Sequence, residues 1–310
     1  MDPLQHRIIL VVRKTRLEDL VARFNTVEQA RFYVEHLGAD FSDYQAEHTT
    51  YHTAISDAEA LLSRVGRVQR LDRSFLPSFL FPPQCLVVVL GQDGLVANTL
   101  KYLNGQPVIG VNPDPARWDG VLLPFDVGDL QSIATEVFTD KRPIKHVTMA
   151  RARLSDGQEL HAVNDLFIGP RSHVSARYRL ELGDLQEMQS SSGVIVSTGL
   201  GSTGWFKSLI SGAVGVVGST SAELARLRLK GFAWDAPHLY FTVREPFPSR
   251  TTQASLVFGK VAGQESLRIV SQMPDYGVIF SDGIEKDYLE FNSGMEASIG
   301  ISSKSGRLVQ

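Results

Sequence analysis

The sequence predicts an α/β domain with a Rossmann-like parallel sheet, followed by a mostly antiparallel β domain. Three observations carry that expectation. Over residues 1–130, short apolar runs alternate with longer stretches of helical periodicity, the pattern of βαβ units. After Lys141 the chain becomes a series of short strand candidates separated by turn residues such as Asp156-Gly157. The length of 310 residues, with 43% apolar and 21% charged, suits two ordinary domains, each with a core of its own. The expected division is an α/β domain over residues 1–142 and a β-rich domain over residues 143–310.

Element by element, residues 7–13 (RIILVVR) form a β-branched run that reads as a buried strand. Leu17, Leu20, Val21 and Phe24 recur at helical spacing, and residues 27–37 continue in the same manner. A further helix is expected over residues 44–65, with Ile55, Ala58, Leu61 and Leu62 on one face. Residues 68–71 suit a short strand. Three prolines make residues 74–84 a loop or turn. CLVVVL at residues 85–90 is the most strand-like run of the chain; it ends in Gly91, and a helix is expected to follow through Leu103. Residues 108–111 form another buried strand, which NPDP ends.

In the second half the strand candidates are residues 147–154, 159–163, 166–168, 176–182, 194–197, 239–243, 254–261, 267–270, 278–281 and 296–301. One helix is expected among them, starting near Gly201.

Composition excludes several classes of function. A lone Cys85 rules out a disulfide framework and a cysteine-based zinc ribbon. A net charge of −3 gives no reason to expect nucleic acid. No apolar run approaches the roughly 20 residues of a membrane span. The lead-in MDPLQH is too short and too acidic for a signal peptide, so a soluble cytoplasmic protein is expected.

Four motifs can carry chemistry. LGQDGL (Leu90–Leu95) ends the best strand and opens a helix, where glycines let a ligand approach and helix N–H groups suit a phosphate. The same turn would also serve as a plain strand-to-helix connection with Asp93 as N-cap. Asn164-Asp165 lies between two strand candidates and reads equally as a turn pair. SSSGVIVSTGLGSTGW (Ser190–Trp205) feeds a strand into a small-residue turn and a helix, either a ligand cradle or a cap with a flexible lead-in. SDGIE (Ser281–Glu285) reads as a hairpin turn.

Together and in this order, the four motifs resemble those of the NAD kinase family, with its GGDGT turn, N-E/D pair, DG…STPTGSTAY-like segment and late DG turn. RKTRLE, EHTTYH, VIGVNPDP and WFK look most like the mitochondrial-type branch. The resemblance implies ATP- and Mg²⁺-dependent phosphorylation of the 2′-hydroxyl of NAD. It casts Asp93 as the group acting on that hydroxyl, flanked by Gly91 and Gly94. Asn164 and Asp165 would hold ribose hydroxyls. Thr203, Gly204, Trp205 and Ser208 would line the adenosine pocket, with Trp205 in place of a frequent Tyr. Asp282 would bind or support the site at a subunit interface, so a homodimer or homotetramer is expected, with no nucleic-acid or membrane partner.

Departures fall on functional positions. GGDGT reads Gly91-Gln92-Asp93-Gly94-Leu95, so a glycine has become Gln92 and a hydroxyl has been lost at Leu95. If the second position needs a left-handed backbone, Gln92 costs on the order of 1 kcal/mol. Ser192 stands where the family has Asp, and Gly199-Leu200-Gly201 replaces Pro-Thr-Gly. The alternative is therefore an NAD(P)-binding regulatory protein that has lost or redirected phosphoryl transfer.

Other features are assigned no chemistry. His48 and His52 share one helix face, but no carboxylate stands at the spacing of a zinc-protease helix, and no metal ligand is assigned. Cys85 reads as a core residue, and the basic run at residues 141–153 as a solvated face. Lys101 and Lys207 are phosphate candidates by position alone.

Overall fold

Apolar runs at Arg7–Val12 (β1), Cys85–Leu90 (β3) and Pro107–Asn112 (β4) are buried almost throughout, as expected of strands covered on both faces. The computed structural model describes residues 6–218 and 221–310; residues 1–5, most of the lead-in, and 219–220 lie outside the description. The chain divides into two compact units, one of Met1–Lys145 with Arg307–Gln310 and one of His146–Gly306.

The first unit holds β1, helices α1 (Arg16–Phe24), α2 (Val27–His36) and α3 (Phe41–Leu62), β2 (Arg67–Asp72), β3, α4 (Asp93–Leu100), β4, β5 (Phe125–Asp126) and α5 (Leu130–Phe138). Its strands run β2-β1-β3-β4, all parallel. β5 and residues Arg307 and Leu308 complete the far edge of β4, again in parallel. Helix α3 lays Tyr51, Ile55, Ala58 and Leu62 on one side of this sheet, where they meet Ile8, Leu10, Leu86 and Val88.

Boundaries differ from expectation where a side chain decides them. α3 starts at Phe41 because the Asp40 carboxylate caps Ser42 N–H at 2.8 Å. The proline-rich segment begins as a short 3-10 turn, Arg73–Ser78. α4 stops at Leu100, short of Leu103, and its N-cap is Gln92 rather than Asp93. α5 was not expected.

The second unit is a sandwich of two antiparallel sheets, with helices on the outside of one of them. Its strands are β6 (Ile144–Leu154), β7 (Glu159–Ala162), β8 (Asp165–Pro170), β9 (Ala176–Leu182), β10 (Leu185–Ser191) and β11 (Val194–Ser197). Helices α6 (Trp205–Val217) and α7 (Ala222–Lys230) follow. Then come β12 (His238–Val243), β13 (Phe258–Ala262), β14 (Leu267–Ser271), β15 (Gly277–Ser281), β16 (Ile284–Glu290) and β17 (Glu296–Val309). One sheet runs β10-β9-β14-β17-β6-β7 and the other β13-β12-β11-β8-β15-β16.

Alternate residues of facing strands fill the core, such as Leu166, Ile168, Val196 and Phe241 against Ala152, Leu180, Ile269 and Ile299. The opposite face of β8 and β11 carries Phe167 and Ile195, which pack with Trp205 and Leu209 of α6. The fold class is thus the expected one, with β10, β16 and α7 as additions and β13 shifted to Phe258–Ala262. Among the described residues no helix is long and apolar enough to cross a membrane.

Candidate functional site

In the first unit the chain leaves β1 for β2 on one side and returns to β3 on the other. Connections diverge at such a point, and open α/β sheets take ligands at the carboxyl ends of the two strands there. Those ends are Arg13-Lys14-Thr15 after β1 and Gly91-Gln92-Asp93 after β3. Tyr51 of α3 joins them: its hydroxyl accepts from Arg13 N–H at 3.0 Å and donates to the Leu90 carbonyl at 2.8 Å. Burial pushes the Tyr51 phenol up to about 12, so it stays neutral.

Asp93 is the first residue of α4, half-buried, between buried Gly91 and exposed Gly94. Its carboxylate accepts from Leu122 N–H at 2.7 Å and Val121 N–H at 3.2 Å. Gly110 makes this possible. A Cβ there would collide with the Leu122 carbonyl, so only glycine lets the segment lie down on β4 and bring its N–H groups to Asp93. One lone pair on each Asp93 oxygen remains for a ligand. Gln92 has φ −116° and ψ 161°, an extended backbone that carries no left-handed strain. Leu95 is buried, and its methyl would lie 2.8 Å from any Cβ added to Gly91. The leucine at this position thus closes the inner side of the turn.

Three arginines of this region are already paired. Arg13 and Arg16 both bond Glu47, and Arg16 and Arg117 both bond Asp43, the latter at 2.6 Å. Burial works against the Glu47 charge, but hydrogen bonds from Arg16 and Arg13 outweigh it and carry the carboxyl below its ordinary range. The Asp43 carboxyl is held far below the carboxylate range by Arg117 and then Arg16. Lys101 is buried at the far end of α4, away from the turn. A cavity of about 930 Å³ in this unit lies beside Arg7, Cys85, Leu86 and Pro107, at the amino ends of the strands and so opposite Asp93.

In the second unit the Val163-Asn164-Asp165 turn is held from two sides. The Asp282 carboxylate accepts from Asn164 N–H at 2.6 Å, Val163 N–H at 3.1 Å and Asp165 N–H at 3.3 Å. Asp282 does so from a left-handed backbone, φ 55°, in the turn between β15 and β16. On the other side, Thr198 Oγ1 donates to the Val163 carbonyl and Thr198 N–H to the Asn164 carbonyl. Gly201 lies so close to the Asn164 backbone that a Cβ would collide with the Asn164 carbonyl.

The clamp uses the backbone of this turn. Among the described residues, neither the Asn164 amide nor the Asp165 carboxylate has a hydrogen-bond partner. Burial, and then the Asp282 charge, raise the Asp165 carboxyl to about 7.

Next along the chain, Thr203, Gly204 and Ser208 are exposed at the start of α6, whose N-cap Gly204 supplies no side-chain cap. Trp205 is half-buried, with its ring stacked on Phe167 at 5.9 Å and 14° and the Arg244 guanidinium 5.4 Å from its centroid. Its flat face is therefore already in use within the unit. Lys207 is exposed on the same helix.

No protein-family model matches this chain, and no curated protein does. Solved structures do. An NAD kinase from Archaeoglobus fulgidus, in complex with ATP, is similar with a TM-score of 0.60 and 14% identity, over 98% of this chain and 93% of that one. Yeast NADH kinase complexed with NADH is similar with a TM-score of 0.54 and 16% identity, over 98% of this chain and 83% of that one. The fold is that of the NAD kinases.

Within this NAD kinase fold, Asp93, Asn164 and Asp165 sit at turns that other elements hold rigid. Sequence reasoning missed Tyr51, the Leu122 amide and the clamping role of Asp282. The apolar period of α3 hides the first, and backbone donors leave no signal in side-chain patterns. An Asp-Gly hairpin turn gives no sign of what its carboxylate reaches.

Proposed function

We propose that this protein is an NAD kinase-like phosphotransferase that moves the γ-phosphoryl group of ATP to the 2′-hydroxyl of NAD, giving NADP. The observation that carries the reading is Asp93, fixed by two backbone donors at the carboxyl end of β3 in an NAD kinase fold, with lone pairs to spare. The similar structures hold ATP in one case and NADH in the other, which supports both substrates.

Asp93 would orient the attacking hydroxyl or take its proton, leaving oxygen to attack the γ-phosphorus in line while the bond to the bridging oxygen breaks and ADP leaves. Asn164 and Asp165 would take ribose hydroxyls. With its pKa near 7, Asp165 can accept a hydrogen bond or donate one. Thr203, Gly204 and Ser208 would border the adenosine, and Trp205 would offer the exposed part of its ring. Both Asp93 oxygens accept N–H bonds and Leu95 supplies no oxygen, so this turn forms no cage for Mg²⁺. The ion belongs with the triphosphate of the nucleotide. A homodimer or homotetramer in the cytoplasm goes with the same reading.

Purified protein incubated with NAD⁺, ATP and Mg²⁺ should yield NADP⁺ in an enzymatic assay. No NADP⁺ at high protein concentration, with ATP or with polyphosphate, defeats the kinase reading. Asp93→Asn should lower turnover by on the order of a hundredfold or more with NAD binding kept. A second reading, NAD(P) binding without transfer, is favoured by the pairing of Arg13, Arg16 and Arg117 with acids, which leaves few cations for a triphosphate. Calorimetry showing saturable NAD(H) or NADP(H) binding without turnover would select it.

A further inference from the structure

Helices α1 and α3 of the first unit meet at a cluster that the proposed chemistry does not use. Thr15 caps α1, its Oγ1 accepting from Glu18 N–H at 3.2 Å, while Glu18 Oε2 accepts from Thr15 N–H at 2.7 Å. This reciprocal box fixes the Glu18 carboxylate and leaves Oε1 pointing away from the cap. Oε1 lies 3.3 Å from Nε2 of His52 on α3. That contact lacks hydrogen-bond geometry, so His52 Nε2 is shielded from solvent yet has no hydrogen-bond partner. One turn earlier on α3, the His48 ring lies 4.3 Å from the His52 ring, centroid to centroid. His48 Nδ1 is 2.9 Å from Thr15 Oγ1.

Glu18, His48 and His52 each offer a ligand atom, and these atoms all lie within 4.8 Å of one another. Two imidazoles and one carboxylate form a donor set for a borderline divalent ion such as Zn²⁺. The surroundings suit that use. When a histidine binds a metal through one ring nitrogen, the other usually donates to an oxygen that fixes the ring, and Thr15 Oγ1 stands at His48 Nδ1 to accept. The orphaned Nε2 of His52 would gain the partner it lacks.

We propose that Glu18, His48 and His52 bind one divalent transition-metal ion, Zn²⁺ or a close relative, with water completing its coordination. The ion ties α1 to α3. Glu47, next to His48, holds Arg13 and Arg16 at the end of β1, and Tyr51, one residue before His52, bridges to Leu90. The bound metal therefore stiffens the helix turn that frames the carboxyl ends of β1 and β3. Its role is a brace, distinct from the Mg²⁺ that accompanies ATP and independent of whether phosphoryl transfer occurs.

The test is calorimetric titration of the chelator-treated full chain with Zn²⁺ alone, repeated with Co²⁺ to read the visible absorption of a nitrogen-ligated ion. Expected is one equivalent bound, with affinity reduced on the order of tenfold or more in both Glu18→Gln and His52→Gln. Glu18→Gln keeps an acceptor for Thr15 N–H, so the cap survives and the loss reports the missing carboxylate. Zn²⁺ should also raise the thermal midpoint of the unaltered protein and not that of His52→Gln. Absence of binding overturns the proposal, as does binding that either variant leaves unchanged. In those cases Glu18, His48 and His52 form only a contact between α1 and α3.

Discussion

Asp165 is the residue whose protonation links stability to the site. Buried beside Asp282, its carboxyl titrates near 7 in the folded chain, against about 3.9 for an unfolded aspartate. The folded state therefore holds this proton more tightly. The stability it contributes is fully present below about pH 4 and is lost as pH rises through about 7. Asp165→Asn removes the charge that burial disfavours. The variant should gain stability over the parent by a few kcal/mol at about pH 8 and by much less at about pH 4. Thermal melts at the two pH values check this, and an equal difference at both would rule it out. The same substitution should weaken NAD binding if Asp165 serves a ribose hydroxyl. The Asn164-Asp165 turn was legible in the sequence as a turn because strand candidates flank it on both sides. Glu18 was not, because it joins His48 and His52 only when α1 folds against α3, and the spacing along either helix does not reveal it.

At the scale of elements, legibility followed burial on both faces. β1, β3, β8 and β11 are buried along almost their whole length because sheet and helices cover both sides. The strands that sequence missed, β10 (LQEMQSS) and β16 (IEKDYLE), lie at the edges of their sheets, where one side faces solvent and pairing, not composition, makes the strand. α7 buries only Leu227, too little to show a period. α3 was legible as a helix, yet its role as a bolt across the β1 and β3 ends was not. Tyr51→Phe tests that bolt. It keeps the ring in the core and strips the hydroxyl, leaving the Arg13 N–H and the Leu90 carbonyl without a partner. A loss of about 1–3 kcal/mol is expected in denaturant unfolding, together with faster amide exchange at Gly91 and Gln92. Unchanged exchange at those residues would mean that other contacts hold the turn.

At the scale of the whole molecule, the chain leaves the first unit after Lys145 and returns to it for its last four residues, Arg307–Gln310. β17 is one continuous strand from Glu296 to Val309, but the polar residues 302–307 interrupt its apolar pattern, so the sequence expectation stopped at Ile301. The return does structural work in the first unit. Arg307 and Leu308 pair with Pro107 and Val108 of β4, and Val309 joins the same core as Leu10 and Val88. Arg307 Nη1 donates to the Gly105 carbonyl at 2.9 Å, and Gln310 N–H to the Pro143 carbonyl at 3.0 Å. Leu308 and Val309 are only 3% and 2% exposed, so removing residues 307–310 forfeits about 3–6 kcal/mol of apolar burial, besides the edge pairing of β4. The second unit's core uses none of these residues. Truncation after Gly306 should therefore lower hydrogen-exchange protection in β3 and β4 while β8 and β11 keep theirs. Because α4 and the Asp93 turn hang on β3 and β4, NADP⁺ formation, if the chain carries out the proposed transfer, should fall with that protection. Equal protection in both units after truncation would show that the four returning residues add nothing to the first unit's core.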